Sequence, residues 1–263
     1  MSAVSEVFEK TKAEGRGALV GYLPAGYPTV DASVELLTGM VEAGCDLLEV
    51  GVPYSDPVID GPTIQAAATA ALSAGFRLRD LFTVVERVSA AGGKAVVMTY
   101  WNPVFHYGVE RFARDLAAAG GLGLITPDLI PDEAADWIAA SDEHGLDRIF
   151  LVAPSSTEER IASTTAATTG FLYAAAVMGV TGARDAVGAG AAGLVARARA
   201  HTSLPIGVGL GVRSGEQAAE IAGFADAVIV GSAFVSSAAD GVASVQTLAA
   251  ELAEGVRRPL VAR

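Results

Sequence analysis

The chain has 263 residues, 51% of them hydrophobic, and carries a formal net charge of -12. The acidic balance, with a sequence pI near 4.6, excludes a nucleic-acid backbone as partner, because such binding rests on clustered Lys and Arg that displace counterions. Mean hydropathy is +0.42, yet no apolar run approaches the roughly 20 residues of a membrane-spanning helix, so the surplus is expected in a large core.

The opening segment MSAVSEVFEKTKAEGRG is polar and charged, without the apolar stretch of an export signal. Residues 2–14 of it predict a helix that covers the bottom of the fold. Eight runs rich in aliphatic and β-branched residues follow: ALVGYLPAG, LLEVGVP, AVVMTYWN, GLGLITPD, RIFLVAP, FLYAAAVM, PIGVGLG and AVIVGSAFV. Each is almost continuously apolar, as parallel strands buried on both faces are. Between them lie amphipathic helical segments such as VDASVELLTGMVEAG, LRDLFTVVERVSAAG, VERFARDLAAAG, PDEAADWIAASDEHG and SGEQAAEIAGF, several stopping at glycine (Gly44, Gly92, Gly120, Gly145).

The strand spacing, about 22 to 34 residues with a second interval near 48, suits βα units. The long interval holds YSDPVIDGPTIQAAATAALSAG. Eightfold alternation without a linker predicts a single (β/α)8 TIM barrel with an extra N-terminal helix, spanning residues 1–263 as one domain. The competing open doubly wound sheet lacks its GxGxxG after the first strand.

In such a barrel, function gathers at the C-terminal ends of the strands. Glu49 is an ionisable residue inside the apolar second strand, where burial would raise its pKa toward neutrality. The structural alternative is a carboxylate paired with a cation such as Lys94. The following loop carries Asp56 and Asp60 among prolines and glycine. Asp56, in Ser-Asp-Pro, reads as a turn former, and Asp60, in Ile-Asp-Gly-Pro-Thr, fits a turn and a site equally. Near the end, GVTGA (residues 179–183), GLG (209–211) and GSA (231–233) follow successive strands. Such glycines serve βα turns for steric reasons alone, but three together, with the Ser232 hydroxyl, favour a phosphate site. Tyr22 at the end of the first strand, Tyr100 and Asn102 ending the third, Asp128 ending the fourth and Tyr173 beginning the sixth meet at the rim, where such aromatic rings serve packing or, taken together, suit a flat aromatic substrate.

Cys45 reads as a small core residue, and with a single cysteine there is no internal disulfide, which suits a reducing cytoplasm. His106, His144 and His201 are widely separated and belong to no metal-ligand motif, so no metal is expected.

The segment LLEVGVPYSDPVIDGPTIQ (residues 47–65) resembles the signature of the tryptophan synthase α subunit family. The resemblance continues in collinear order through YLPAGYPT, MTYWNPV, PDLIPDEA, VAPSS, GVTGARD, VGLGV and VGSAFV. It implies a cytoplasmic carbon–carbon lyase of tryptophan biosynthesis that cleaves indole-3-glycerol phosphate to indole and glyceraldehyde 3-phosphate. It implies that Glu49 handles protons and that Asp60 holds the indole N–H. Gly182, Gly211, Gly231 and Ser232 would bind the phosphate, with Tyr22, Tyr100 and Tyr173 near the substrate and Thr181 on a closing loop within residues 179–190. Leu210 and Ala176 depart from the family's usual aromatic and small hydroxyl residues. The implied partner is a β subunit in an α2β2 heterotetramer, where pyridoxal phosphate belongs to that partner and no cofactor to this chain. A stand-alone lyase releasing free indole and a catalytically silent phosphate-binding barrel are the alternatives.

Overall fold

The structure, a computed structural model, describes residues 2–176 and 189–258. Among them the apolar runs form β1 (Ala18–Pro24), β2 (Leu47–Gly51), β3 (Ala95–Met98), β4 (Gly123–Ile125), β5 (Asp147–Ile149), β6 (Leu151–Val152), β7 (Leu172–Ala175), β8 (Ile206–Gly209) and β9 (Ala227–Val230). All pairings are parallel, in the order β5-β4-β3-β2-β1-β9-β8-β7-β6. The two ends of that order are consecutive in the chain. Only Phe150 separates β5 from β6, and its carbonyl accepts the Tyr173 N–H at 3.1 Å. The run RIFLVAP, expected as one strand, is thus one stave in two segments: its first half pairs with β4 and its second with β7, as the stagger of a closing barrel requires.

The helices are α1 (Ala3–Ala13), α2 (Val30–Glu42), α3 (Pro62–Ser73), α4 (Leu78–Ala90), α5 (Trp101–Tyr107), α6 (Val109–Ala118), α7 (Ala135–His144), α8 (Glu158–Ala167), α9 (Ala189–Arg199), α10 (Gly215–Ala222), α11 (Ser232–Ala238) and α12 (Val242–Arg257). Among the described residues no helix is long and apolar enough to cross a membrane. Helix α4 shows why they form: Leu81, Val84, Val85 and Val88 fall on one buried stripe at helical spacing. Helix α7 shows how they stop. Gly145 takes the left-handed conformation at φ 67°, and its N–H returns to the Ser141 carbonyl.

Helix α1 fulfils the expectation for residues 2–14, with Ser2 as its N-cap and Glu14 as its C-cap. It buries Val4, Val7 and Phe8 against inward-facing strand residues, among them Val20, Leu47, Val96, Ile125, Ile149 and Phe171, and so plugs the N-terminal end of the barrel. Phe8 and Phe171 meet with ring centroids 5.3 Å apart. The connection from α1 to β1 is fixed by Arg16, whose guanidinium donates to both Asp46 oxygens at 2.8 Å, while the Leu19 N–H reaches the same carboxylate at 2.9 Å.

Two runs end sooner than their composition suggests. AVVMTYWN leaves the sheet at Met98; Tyr100 becomes the N-cap of α5 and Asn102 lies inside that helix. Pro103 sits in the first helical turn, where a missing N–H costs nothing. AVIVGSAFV likewise ends at Val230, and Ser232 opens α11. Asp128 lies in the loop beyond β4, not at its end.

Candidate active site

Side chains alternate across a strand, so the residue two places beyond each plug residue again faces the barrel axis. Val20 is followed by Tyr22, Leu47 by Glu49, Val96 by Met98, Ile149 by Leu151 and Phe171 by Tyr173. These residues begin the wall of a cavity of about 390 Å³ at the C-terminal mouth, which Asp60, Gly209, Leu210, Gly211, Gly231 and Ser232 complete. Of the residues singled out from the sequence, Tyr22, Glu49, Asp60, Tyr173, Gly211, Gly231 and Ser232 therefore share one chamber. Thr181 and Gly182 lie outside the described residues, as do residues 179–188 of the expected closing loop. Sequence reasoning did not single out Ser155 and Ser156, which also line the chamber; their position just beyond β6 is the signal that marks them.

Two strand glycines make room for the aromatic wall. A Cβ on Gly51 would stand 2.4 Å from the Tyr22 hydroxyl, and one on Gly209 2.5 Å from that of Tyr173. Only hydrogen fits there.

Glu49 is 1% exposed, and its Oε1 has no hydrogen-bond partner among the described residues. Burial pushes its pKa up to about 8. The cation considered for it, Lys94, instead faces Glu6 at 3.6 Å. A carboxyl in this setting holds a proton at neutral pH and can surrender it to a substrate. The phenols of Tyr22 and Tyr173 are driven well above their ordinary range by burial and then by nearby carboxylate charge, Glu49 acting on both. They stay protonated.

Asp60 lies at the other side of the polar wall, on the loop between β2 and α3. Burial raises its pKa, and a hydrogen bond from Tyr100 holds it down. Tyr100 does not line the chamber; it stands behind Asp60. Its hydroxyl oxygen accepts the N–H groups of Val58 and Ile59, each at 3.0 Å, so one phenol shapes the loop and orients its carboxylate. Asp56 is exposed and accepts from the neighbouring Ser55 hydroxyl at 2.5 Å, in keeping with a turn. Asp128 accepts the Trp101 N–H at 2.8 Å and thereby caps α5.

Gly211, at φ 74°, lies just beyond β8, and Gly231 caps α11, with Ser232 its first residue. Gly211, Gly231 and Ser232 thus line the side of the chamber formed by the ends of β8 and β9. Cys45 is buried in the core, and burial drives its thiol pKa upward. His144 Nε2, on α7, lies 2.6 Å from Glu110, and His201 Nε2, in the turn after α9, lies 2.8 Å from Glu158. Among the described residues Glu110, Glu143 and His144 bring ligand atoms within 4.8 Å of one another, remote from the chamber on α6 and α7.

The family model for the tryptophan synthase alpha chain matches residues 8–260. The tryptophan synthase alpha chain of Mycobacterium marinum is 66% identical over 257 residues, covering 98% of this chain and 96% of the relative. That of Nocardia farcinica is 65% identical over 261 residues, covering 99% and 98%. A solved structure of Mycobacterium tuberculosis tryptophan synthase superposes with a TM-score of 0.94 at 62% identity, covering 97% of this chain and 98% of that one. The barrel, the order of its motifs and these likenesses over nearly the whole length agree: the chain belongs to the tryptophan synthase alpha chain family.

Proposed function

We propose that the chain cleaves indole-3-glycerol phosphate to indole and glyceraldehyde 3-phosphate, as the α subunit of a tryptophan synthase. The observation that carries this reading is Glu49: a buried carboxyl whose Oε1 has no hydrogen-bond partner among the described residues, its pKa near 8, in one chamber with a second carboxyl, Asp60. Protonated Glu49 delivers its proton to C3 of the indole ring. The ring becomes an indolenine-like cation whose N–H is held by the Asp60 carboxylate, and the low dielectric of the chamber strengthens that attraction. Loss of the proton from the glycerol hydroxyl on the carbon attached to C3 turns that carbon into an aldehyde. The C–C bond electrons return to the ring, releasing neutral indole. The Glu49 carboxylate left by the first transfer takes the hydroxyl proton, so one proton enters at C3, one leaves the hydroxyl and Glu49 is regenerated in its protonated form.

Gly211, Gly231 and Ser232 hold the phosphate in this reading, with Gly182 and Thr181 joining from the segment beyond β7. Tyr22 and Tyr173 supply neutral phenols to the substrate wall, and Tyr100 serves the site through Asp60. No metal or cofactor takes part on this chain. Pyridoxal phosphate is assigned to a β subunit, the partner in an α2β2 assembly in the cytoplasm. The exposed apolar side chains Val58 (72% exposed), Phe105 (63%) and Ile130 (41%) on the rim support a docking face there.

The test is indole release from indole-3-glycerol phosphate by the chain alone and with a β subunit. The expected result is slow release alone and many-fold activation on complex formation. Vigorous release by the chain alone would favour a stand-alone lyase, and no release under either condition would favour a silent barrel.

A further inference from the structure

The loop that carries Asp60 and the segment that opens α5 hold each other through two tyrosines reaching in opposite directions. From the α5 side, Tyr100 takes the Val58 and Ile59 N–H groups at 3.0 Å each and bonds the Asp60 carboxylate. From the loop side, the Tyr54 hydroxyl accepts Asn102 Nδ2 at 3.0 Å. The two rings lie against each other with centroids 5.3 Å apart and planes 36° from parallel. The α5 end of this clasp is itself fixed, because Asp128 accepts the Trp101 N–H at 2.8 Å.

We propose that Tyr54 is a positioning residue for Asp60: its bond to Asn102 ties the first half of the Asp60 loop, whose second half is held by Tyr100 and by Gln65 Nε2, which donates to the Asp60 carbonyl at 2.7 Å. The proposal rests on the reading of Asp60 as the group that holds the indole N–H. A loop held only at its second half lets its first half swing and shift the carboxylate; a tie at Tyr54 holds both halves. The loop has reason to turn, since Ser55 and Asp56, which lie between the ties at Tyr54 and at Val58, are exposed to solvent. A carboxylate that meets a ring N–H must hold its place closely, because a displacement of about 1 Å costs on the order of a hundredfold in rate. The Tyr54–Asn102 bond is solvent-exposed and joins two neutral groups, so it adds little to global stability. Its loss therefore separates positioning from folding.

The experiment compares Tyr54→Phe, Asn102→Ala, the double variant and Asp60→Asn, each as the isolated chain and in complex with a β subunit, reading kcat, KM and Tm. Tyr54→Phe is expected to lower kcat about tenfold while KM stays within about twofold and Tm is unchanged. Asn102→Ala does the same, and the double variant is no slower than either single variant, because both remove one bond. The fold-loss is equal with and without the β subunit. An unchanged kcat in Tyr54→Phe overturns the proposal, as does a rise in KM alone, a kcat loss accompanied by a fall in Tm, losses that multiply in the double variant, or a loss confined to the complex, which would make Asn102 a docking residue. Asp60→Asn at full rate would instead overturn the Asp60 reading itself. An inactive Asp60→Asn beside a fully active Tyr54→Phe overturns positioning alone.

Discussion

Tyr22 and Glu49 stand at the same register position on the neighbouring parallel strands β1 and β2, so a phenol and a carboxyl lie side by side on the barrel's inner wall. Between pH 4.5 and about 8 the unfolded chain ionises Glu49 while the folded chain keeps it protonated. The native state then binds more protons, and stability falls as pH rises through that window. Glu49→Gln removes this loss. The stability gained by the variant over wild type is expected to increase from pH 5 to pH 8 by on the order of 3 kcal/mol, measured by urea denaturation at the two pH values. A constant difference would place the pKa of Glu49 near its ordinary value.

The same carboxyl sets a rate profile. If protonated Glu49 is the acid, kcat/KM of the wild type is level below about pH 8 and falls about tenfold per pH unit above it. A steady-state pH series checks this. A rise of kcat/KM through pH 8 would mean that Glu49 acts first as a base.

Gly51 leaves the space that Tyr22 fills. Gly51→Ala would set a methyl group 2.4 Å from the Tyr22 hydroxyl, and the buried ring would have to move toward the chamber. The expected result is a loss of about 1–3 kcal/mol in stability together with a higher KM, read by denaturation and steady-state kinetics. An unchanged KM would remove Tyr22 from the substrate wall.

At the opposite end of the barrel, the Arg16–Asp46 pair has side chains only 5% and 11% exposed. Asp46→Ala leaves the guanidinium with Glu14 as its remaining carboxylate and the Leu19 N–H without its acceptor. The expected cost is about 3 kcal/mol, with kcat unchanged below the transition, since the pair lies under the α1 end and away from the chamber. A thermal melt beside a rate assay measures both.

The barrel was legible because each apolar run is long enough to mark a strand buried on both faces. Glu49 was legible because a charged residue in such a run has no local explanation. Asp60 was not, since Ile-Asp-Gly-Pro-Thr satisfies a turn by itself; its distinguishing partner, Tyr100, comes from a segment distant in sequence. The end of β3 was hidden for a related reason. Tyr100 and Trp101 continue the apolar pattern, and the chain leaves the sheet because Asp128, from the next βα loop, caps α5. The Tyr54–Asn102 bond likewise joins two loops whose meeting depends on the closed barrel.

The central claim, that Glu49 delivers the proton that breaks the carbon–carbon bond, is tested most directly by single-turnover indole formation from indole-3-glycerol phosphate by wild type and Glu49→Gln in complex with a β subunit. The account predicts near-complete loss of indole formation in a variant that remains folded and binds substrate. A Glu49→Gln enzyme that kept most of the wild-type rate would contradict it.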